Sequence, residues 1–426
     1  MRQRIELHFT TLSHGLKSIE VNSGRYEEIL KYGKIIDGSS LGMAPIEKSD
    51  LILKPINETL VTLPWNNNIS RVLCDIYSPI GKLEEYGKEI ECKYSPRYIL
   101  KNNLKKLYEL GYFLNASAEM EFFIMKNGKP IDEAGYLSPS PIDKSLKIRE
   151  EIYNALSFFQ IGVEYLHHEV SKGQSEICLN YDNALNMADK IQTFKYIAKN
   201  IVENNGYEIT FMPKPFKDMN GSGMHVHLSL SNLNGKNAFY DKNNTLSKIA
   251  KNFIGGILEH AKSLAALAAP TVNSYKRLVP GYEAPINICW GPINRSALIR
   301  IPYFFNEKSS RIELRMPDPC CNPYLIFAGI IAAGIDGIEK EKDPGEPTYE
   351  NVYKKTGMYE TLPKNLNEAL NELIKDDVLK KALDSEVLNK YIEIKKKEWN
   401  EYIETYGEWN PYEITEWEKK KYFNLI

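Results

Sequence analysis

The chain has 426 residues, 43% of them hydrophobic and 26% charged, an ordinary globular composition long enough for more than one core. Its 54 Lys and Arg are matched by 56 Asp and Glu, so no overall field recommends a nucleic acid or a membrane surface as a partner. There is no signal-peptide core and no apolar run of about eighteen residues, and six scattered cysteines without a C-x-x-C pair read as reduced thiols, so a cytoplasmic location is expected.

Taken in chain order, residues 1–93 read as strands (IELHF, LKSIEV, KSDLILKPI, ETLVTLPW, SRVLCDIY) separated by Gly, Asn and Pro turns. Asp37-Gly-Ser-Ser40 stands at one of these turns. Ser95 to Leu110 reads as a helix, with Ser95 as N-cap, Pro96 at the first position and Gly111 just beyond the end. The expected boundary lies there, dividing the chain into residues 1–93 and 94–426. Beyond it strands alternate with helices over 145–159, 183–205 and 247–269. The adjacent Cys320 and Cys321 read as small packing residues. From Asn365 the tail is helical and mixes Lys and Glu with Trp399, Trp409 and Trp417. Acids there are as dense as bases, which describes a solvated face with packed aromatics better than a nucleic-acid surface.

Three strand-like segments carry charge on alternate residues: Glu119-Met-Glu121, His225-Val-His227-Leu-Ser229 and Arg311-Ile-Glu313-Leu-Arg315. Residues i and i+2 of a strand share a face, so each segment sends its acids, imidazoles or guanidiniums to one side. Such a face is costly to bury unless it meets metals, ligands or opposite charges. With Glu169 and Glu176 added, the candidate ligands Glu119, Glu121, Glu169, Glu176, His225 and Glu313 are five carboxylates and one imidazole. That set suits Mg²⁺ or Mn²⁺ rather than structural zinc. Arg295 and Arg300, followed by Lys308, Arg311 and Arg315, supply anion binders, and metals with an arginine clamp are the parts of phosphoryl transfer. Asn220-Gly-Ser-Gly leads into the histidine strand and allows close approach of backbone N–H groups to a ligand; no Gly-Lys-Ser/Thr follows, so it is no P-loop.

These segments together resemble the glutamine synthetase family in its bacterial and archaeal class. The resemblance is carried by Ile36-DGSS-Leu41, Ala118-EMEFF-Ile124, His167-HEVSKGQSE-Ile177, Phe211-MPKP-Phe216 and Asn220-GSGMHVHLS-Leu230. It continues through Asn273-SYKRLVPGYEAP-Ile286, Asn294-RSALIRIP-Tyr303 and the long run from Arg311 to Ile338, all in family order. It implies an α+β protein with a small N-terminal β-grasp-like domain and a large catalytic domain, an antiparallel sheet with flanking helices. It further implies stacked hexameric rings, a dodecamer, with active sites between subunits, and admits a small regulatory protein as partner.

Carried over by position, Glu121, Glu169 and Glu176 would hold one metal, and Glu119, His225 and Glu313 a second beside the nucleotide phosphates. Arg295, Arg300 and His227 would face the transferred phosphoryl group, with Lys308, Arg311 and Ser229 on the rest of ATP. Arg277, Arg315, Asn220 and Gly221 would grip glutamate, and Glu283 would lie in a closing flap. Asp37 and Ser40 of a neighbouring subunit, with Tyr136 and Glu169, would form an ammonium pocket. The implied reaction is ATP-dependent ligation of ammonia to the γ-carboxyl of glutamate. A γ-glutamyl ligase for another amine and a non-catalytic nitrogen sensor are the alternatives; a sensor would be expected to have lost a metal acid or a phosphate arginine, and none is missing. Departures from the family are Ile36 for a phenylalanine, Pro45 where one feedback-inhibited branch has arginine, the stretch Trp290-Gly-Pro-Ile293, and extra residues around Glu404 to Tyr412. Tyr353, at a point where one bacterial branch is adenylylated, is expected to be an ordinary packed or exposed tyrosine.

Overall fold

The computed structural model describes residues 3–425 apart from 14, 82, 243–244 and 356. Strands between Arg4 and Glu91 form a seven-stranded sheet. Arg4–Thr10 pairs antiparallel with Leu16–Asn22 and parallel with the long strand Asn66–Pro79, whose other end pairs with Asp50–Pro55. Asp50–Pro55 in turn carries Lys34–Asp37 at the sheet edge. The inward residues, Leu7, Phe9, Leu51, Leu53, Val72 and Ile76 among them, make a core of their own. The helix Tyr26–Tyr32 lies outside the sequence expectation. Two turns offer too short a period to read, yet Tyr26 and Ile29 bury one face and Gly33 ends it at φ 80°.

The helix Pro96–Glu109 forms as expected, with Pro96 in its first turn, but Ser95 makes no side-chain cap bond. Ser95 contributes only its carbonyl, which accepts from the Ile99 N–H at 3.1 Å. Beyond it stands a ten-stranded sheet in the order Val163–His168, Gln174–Leu179, Tyr112–Lys126, Met224–Asn232, Ile312–Leu314, Ile299–Ile301, Trp290–Pro292. All these neighbours pair antiparallel except the last two, which run parallel.

Helices back the sheet: Leu146–Phe158, Ala184–Asn204, Lys248–Glu259, Ala261–Ala268 and Pro323–Glu339. Pro323–Glu339 is apolar nearly all round and correspondingly buried. It lies close against Lys248–Glu259 because glycines face each other there: a Cβ on Gly256 would sit 2.0 Å from the Ala333 carbonyl oxygen. The single helix expected over 247–269 is broken at His260, whose ring is held between Asp376 (Nδ1 to Oδ2 2.7 Å) and Asp336 (Nε2 to Oδ2 3.3 Å). All six cysteines are free and buried, Cys320 and Cys321 included. Trp399, Trp409 and Trp417 of the helical tail pack against the main core. Among the described residues no helix is long and apolar enough to cross a membrane.

Candidate active site

Strand register assembles the site. Glu176 stands opposite Glu121, His225 opposite Glu119, and His227 and Arg300 both opposite Glu313, so four neighbouring cross-strand pairs put their charges on one face of the large sheet. That face floors a cavity of about 280 Å³. All six expected metal ligands line it, as do Tyr136, Asn220, Gly221, Arg277, Glu283, Arg295, Arg300 and Arg315. A second cavity of about 290 Å³ shares Glu119, Arg295 and Arg300 with the first and adds His227 and Arg311.

Glu119 receives three side-chain donors. Its Oε1 accepts from His227 Nε2 and Tyr165 Oη, each at 2.7 Å, and its Oε2 from His225 Nδ1 at 2.9 Å. Burial alone would raise its pKa, but the two imidazoles hold it well below the usual carboxylate range. Burial pulls the His225 pKa down. A neutral His225 that donates from Nδ1 keeps Nε2, 3.9 Å from Glu121 Oε1, as a lone-pair donor for a cation. Arg311 Nε donates to His227 Nδ1 at 3.2 Å, which fixes the proton of His227 on Nε2, towards Glu119.

Glu121 and Glu176 show the opposite effect. Burial and the mutual repulsion of the neighbouring acids push both well above the carboxylate range. Five acids on one floor need cations between them, and the donor set fits hard divalent ions. Two compact groups would serve: Glu119, His225 and Glu313, as expected, and Glu169, Glu176 and His167, each able to bring one ligand atom apiece within 4.8 Å of the others; Glu121, expected with Glu169 and Glu176, lines the same cavity but stands outside that group. Arg300 Nη1 and Arg315 Nε both donate to Glu313, at 2.5 and 3.1 Å.

Backbone places the remaining parts. Gly223 N–H and Gln174 Nε2 donate to Glu121 Oε2 at 2.8 and 3.2 Å, fixing that carboxylate's plane. A Cβ at Gly223 would lie 2.6 Å from Arg277 Nη2, and one at Gly221 2.4 Å from the Pro213 carbonyl oxygen, so only glycine lets the loop pass. Arg277 donates to the carbonyls of Met316 (2.8 Å) and Arg315 (3.1 Å). Its neighbour Lys276 is wholly buried against Glu418 of the tail at 2.7 Å, so the last helix buttresses this wall. Glu283 has left-handed backbone, φ 58°, and accepts from Asn220 Nδ2 at 3.0 Å. Behind Glu169, His168 donates from both nitrogens, to Asp132 (3.0 Å) and to the Glu169 carbonyl (2.7 Å); burial opposes its charge, but the Asp132 carboxylate holds its pKa up.

Four expected residues lie elsewhere. Asp37 and Ser40 are exposed on the turn after Lys34–Asp37 and line neither cavity. Lys308 is exposed on the turn Glu307–Ser309, also outside both walls. Ser229 is buried under the second cavity, hydrogen-bonded to Tyr181. Conversely, Tyr165, His167 and Gln174 line the first cavity without having been singled out. A signal existed: Tyr165 and His167 alternate along one strand with Glu169 just past its end, and Gln174 and Glu176 alternate along the next.

Residues 93–416 match the model of the glutamine synthetase catalytic domain, and residues 1–79 that of the glutamine synthetase β-grasp domain. The chain belongs to the glutamine synthetase family. It is 44% identical to a glutamine synthetase of Thermotoga maritima and 45% identical to one of Pyrococcus woesei, each over 99% of this chain and 96% of the relative. Among solved structures, a GmaS–ADP complex superposes with a TM-score of 0.87 at 31% identity, covering 99% of this chain and 96% of that one. The family's two-part α+β plan, β-grasp then catalytic domain, is the one described above.

Proposed function

We propose that this chain is an ATP-dependent glutamate–ammonia ligase that makes glutamine, ADP and phosphate through γ-glutamyl phosphate. The observation that carries the reading is the meeting of six metal-ligand candidates with Arg277, Arg295, Arg300 and Arg315 around one cavity. The names and the 44–45% identity of the curated relatives support the same assignment. Glu121, Glu169 and Glu176 would hold one divalent cation and Glu119, His225 and Glu313 a second, Mg²⁺ or Mn²⁺. When bound, the two ions would neutralise phosphate charge and orient the transferred group.

The chain's own residues do the rest. Nucleotide enters the cavity lined by His227 and Arg311, with Ser229 beneath its floor and Lys308 at its approach. Arg295 and Arg300, shared by both cavities, face the phosphoryl group as it passes to the γ-carboxylate. Arg277, Arg315, Asn220 and the Gly221 backbone orient glutamate, whose carboxylate becomes a good acyl donor only once phosphorylated. Glu283, on its strained loop, covers the site and keeps water from the acyl phosphate. Asp37 and Ser40 of an adjacent subunit, with Tyr136 and Glu169, hold ammonium and take its proton before ammonia attacks the carbonyl. The reading includes a division near residue 93, a cytoplasmic location and a dodecamer of two rings.

The likeness to GmaS, structural but at lower identity, favours as a second reading a γ-glutamyl ligase for another amine. Phosphate release with ATP, Mg²⁺ and glutamate, measured with ammonium against mono- and polyamines, separates the two. Ammonium alone should stimulate strongly, with glutamine as product; preference for an amine transfers the function to amine ligation, and no response to any acceptor rejects both.

A further inference from the structure

Residues 280–285 border the active cavity without helix or strand. Gly281 (φ 95°) and Glu283 (φ 58°) are both left-handed, and among the described residues no backbone–backbone hydrogen bond involves this stretch. Side chains hold it instead. Asn220 Nδ2 donates to Glu283 Oε2 at 3.0 Å, and Arg315 Nη2 lies 3.5 Å from the Glu283 carbonyl oxygen. The ring of Tyr282 lies over the Lys214 ammonium, with Nζ 3.3 Å from the ring centre. Tyr282 lines the cavity, and Lys214 stands behind it.

Lys214 is well fixed for such a contact. It is 2% exposed. Its N–H donates to Asn273 Oδ1 at 2.7 Å, and its carbonyl accepts from Asn273 Nδ2 at 3.0 Å. The same amide donates to Glu418 Oε1 at 3.0 Å, so the tail helix pins the anchor. From this fixed backbone the ammonium donates to the Met219 carbonyl, one residue before Asn220, and meets the face of Tyr282. One cation thus joins the two loops that share the Asn220–Glu283 bond. Burial draws its pKa down to about 8, with Asp218 opposing, so it keeps its charge at neutral pH. An ammonium removed from water is held more strongly by an aromatic face than an exposed one.

We propose that Lys214 is a positioning residue, a latch that holds the 280–285 loop over the active cavity through the ring of Tyr282. Its consequence for the reaction rests on the reading of that loop as the cover of an acyl phosphate. Three variants test it: Lys214→Met keeps the stem and removes the charge, Tyr282→Leu removes the ring, and Tyr282→Phe keeps the ring face. Loop opening is read by cleavage after the exposed Glu283 with a glutamate-specific protease, each rate taken relative to the unfolded chain. Cleavage should be about tenfold faster in Lys214→Met and Tyr282→Leu and within about twofold of wild type in Tyr282→Phe, at unchanged thermal midpoints. With ATP, Mg²⁺, glutamate and ammonium, phosphate released per glutamine formed should rise from about one to two or more in the two opened variants, as water reaches the acyl phosphate. A wild-type cleavage rate in either Lys214→Met or Tyr282→Leu overturns the latch, and so does Tyr282→Phe cleaved as fast as Tyr282→Leu. A phosphate ratio that stays at about one in opened variants removes the latch from the reaction. Should Lys214→Met not fold, the two tyrosine variants decide. If the wild type ligates no ammonia, the proposed reaction falls while the cleavage rates still decide Lys214.

Discussion

Asp37 illustrates how much one residue's role depends on where its charge is held. Ser39 and Ser40 donate to it through both hydroxyls, and the Ser39 N–H adds a bond at 2.9 Å, so its pKa is drawn down to about 2. It is therefore an anion at every pH at which the protein would work, oriented by its own turn and open to solvent. Such a group suits attraction of a cation. Asp37→Ala should raise the ammonium KM at least about tenfold and leave ATP binding intact. Steady-state kinetics in ammonium and a nucleotide titration check this, and unchanged ammonium kinetics would remove Asp37 from the reaction.

At the scale of elements, the site depends on strand register and on how the helices are pinned behind it. A one-residue slip of Met224–Asn232 against Tyr112–Lys126 would turn His225 and His227 into the core and Val226 into the cavity. Behind the sheet, His260 joins the break between two helices to Asp336 and Asp376, with Glu259, Ser263 and Lys340 around the cluster. Burial pulls the His260 pKa down, but its bonds to Asp376 and Asp336 more than offset this and leave it raised, while both aspartates are lowered. A raised histidine stabilises fully below its unfolded value of about 6.5 and loses that contribution as pH rises through the higher folded value. The lowered aspartates stabilise above about pH 4 and lose their contribution as pH falls through their folded values. The clamp should thus be strongest between about pH 4 and 6.5. His260→Gln should cost about 1–3 kcal/mol at pH 6 and less at pH 9. Melting both proteins across that range measures it, and a pH-independent gap would show that His260 acts by packing alone.

At the scale of the whole molecule, the proposed reaction would draw its parts from both sheets. The large sheet carries metal ligands and arginines around a single cavity, whereas Asp37 and Ser40 stand exposed on the small sheet's edge turn and line neither of the two cavities described above. If they act across an interface, a lone subunit holds every phosphate-binding group and lacks the carboxylate that would attract ammonium. Activity should then fall with dilution in step with dissociation, as followed by light scattering and glutamine formation at the same concentrations. A dissociated subunit of full specific activity would refute the shared site.

Much of the site was legible in the sequence because a strand's period of two is short and rigid. Glu119 with Glu121, His225 with His227, and Arg311 with Glu313 and Arg315 announce a common face before any fold is known. The glycines around Ser222 likewise announce a close backbone approach, and the free state of the cysteines follows from their scatter without a C-x-x-C pair. What the sequence alone determined was thus local: which residues share a face and which turns need glycine. Only the tertiary structure decided which strands are neighbours, because hydrogen-bonded register between segments a hundred residues apart is a property of packing. It brought in Tyr165, His167 and Gln174, broke the helix at His260, and set Glu418 against Lys276 across 142 positions. It also left Lys308 and Asp37 outside the cavity walls, since exposure depends on what the rest of the chain covers.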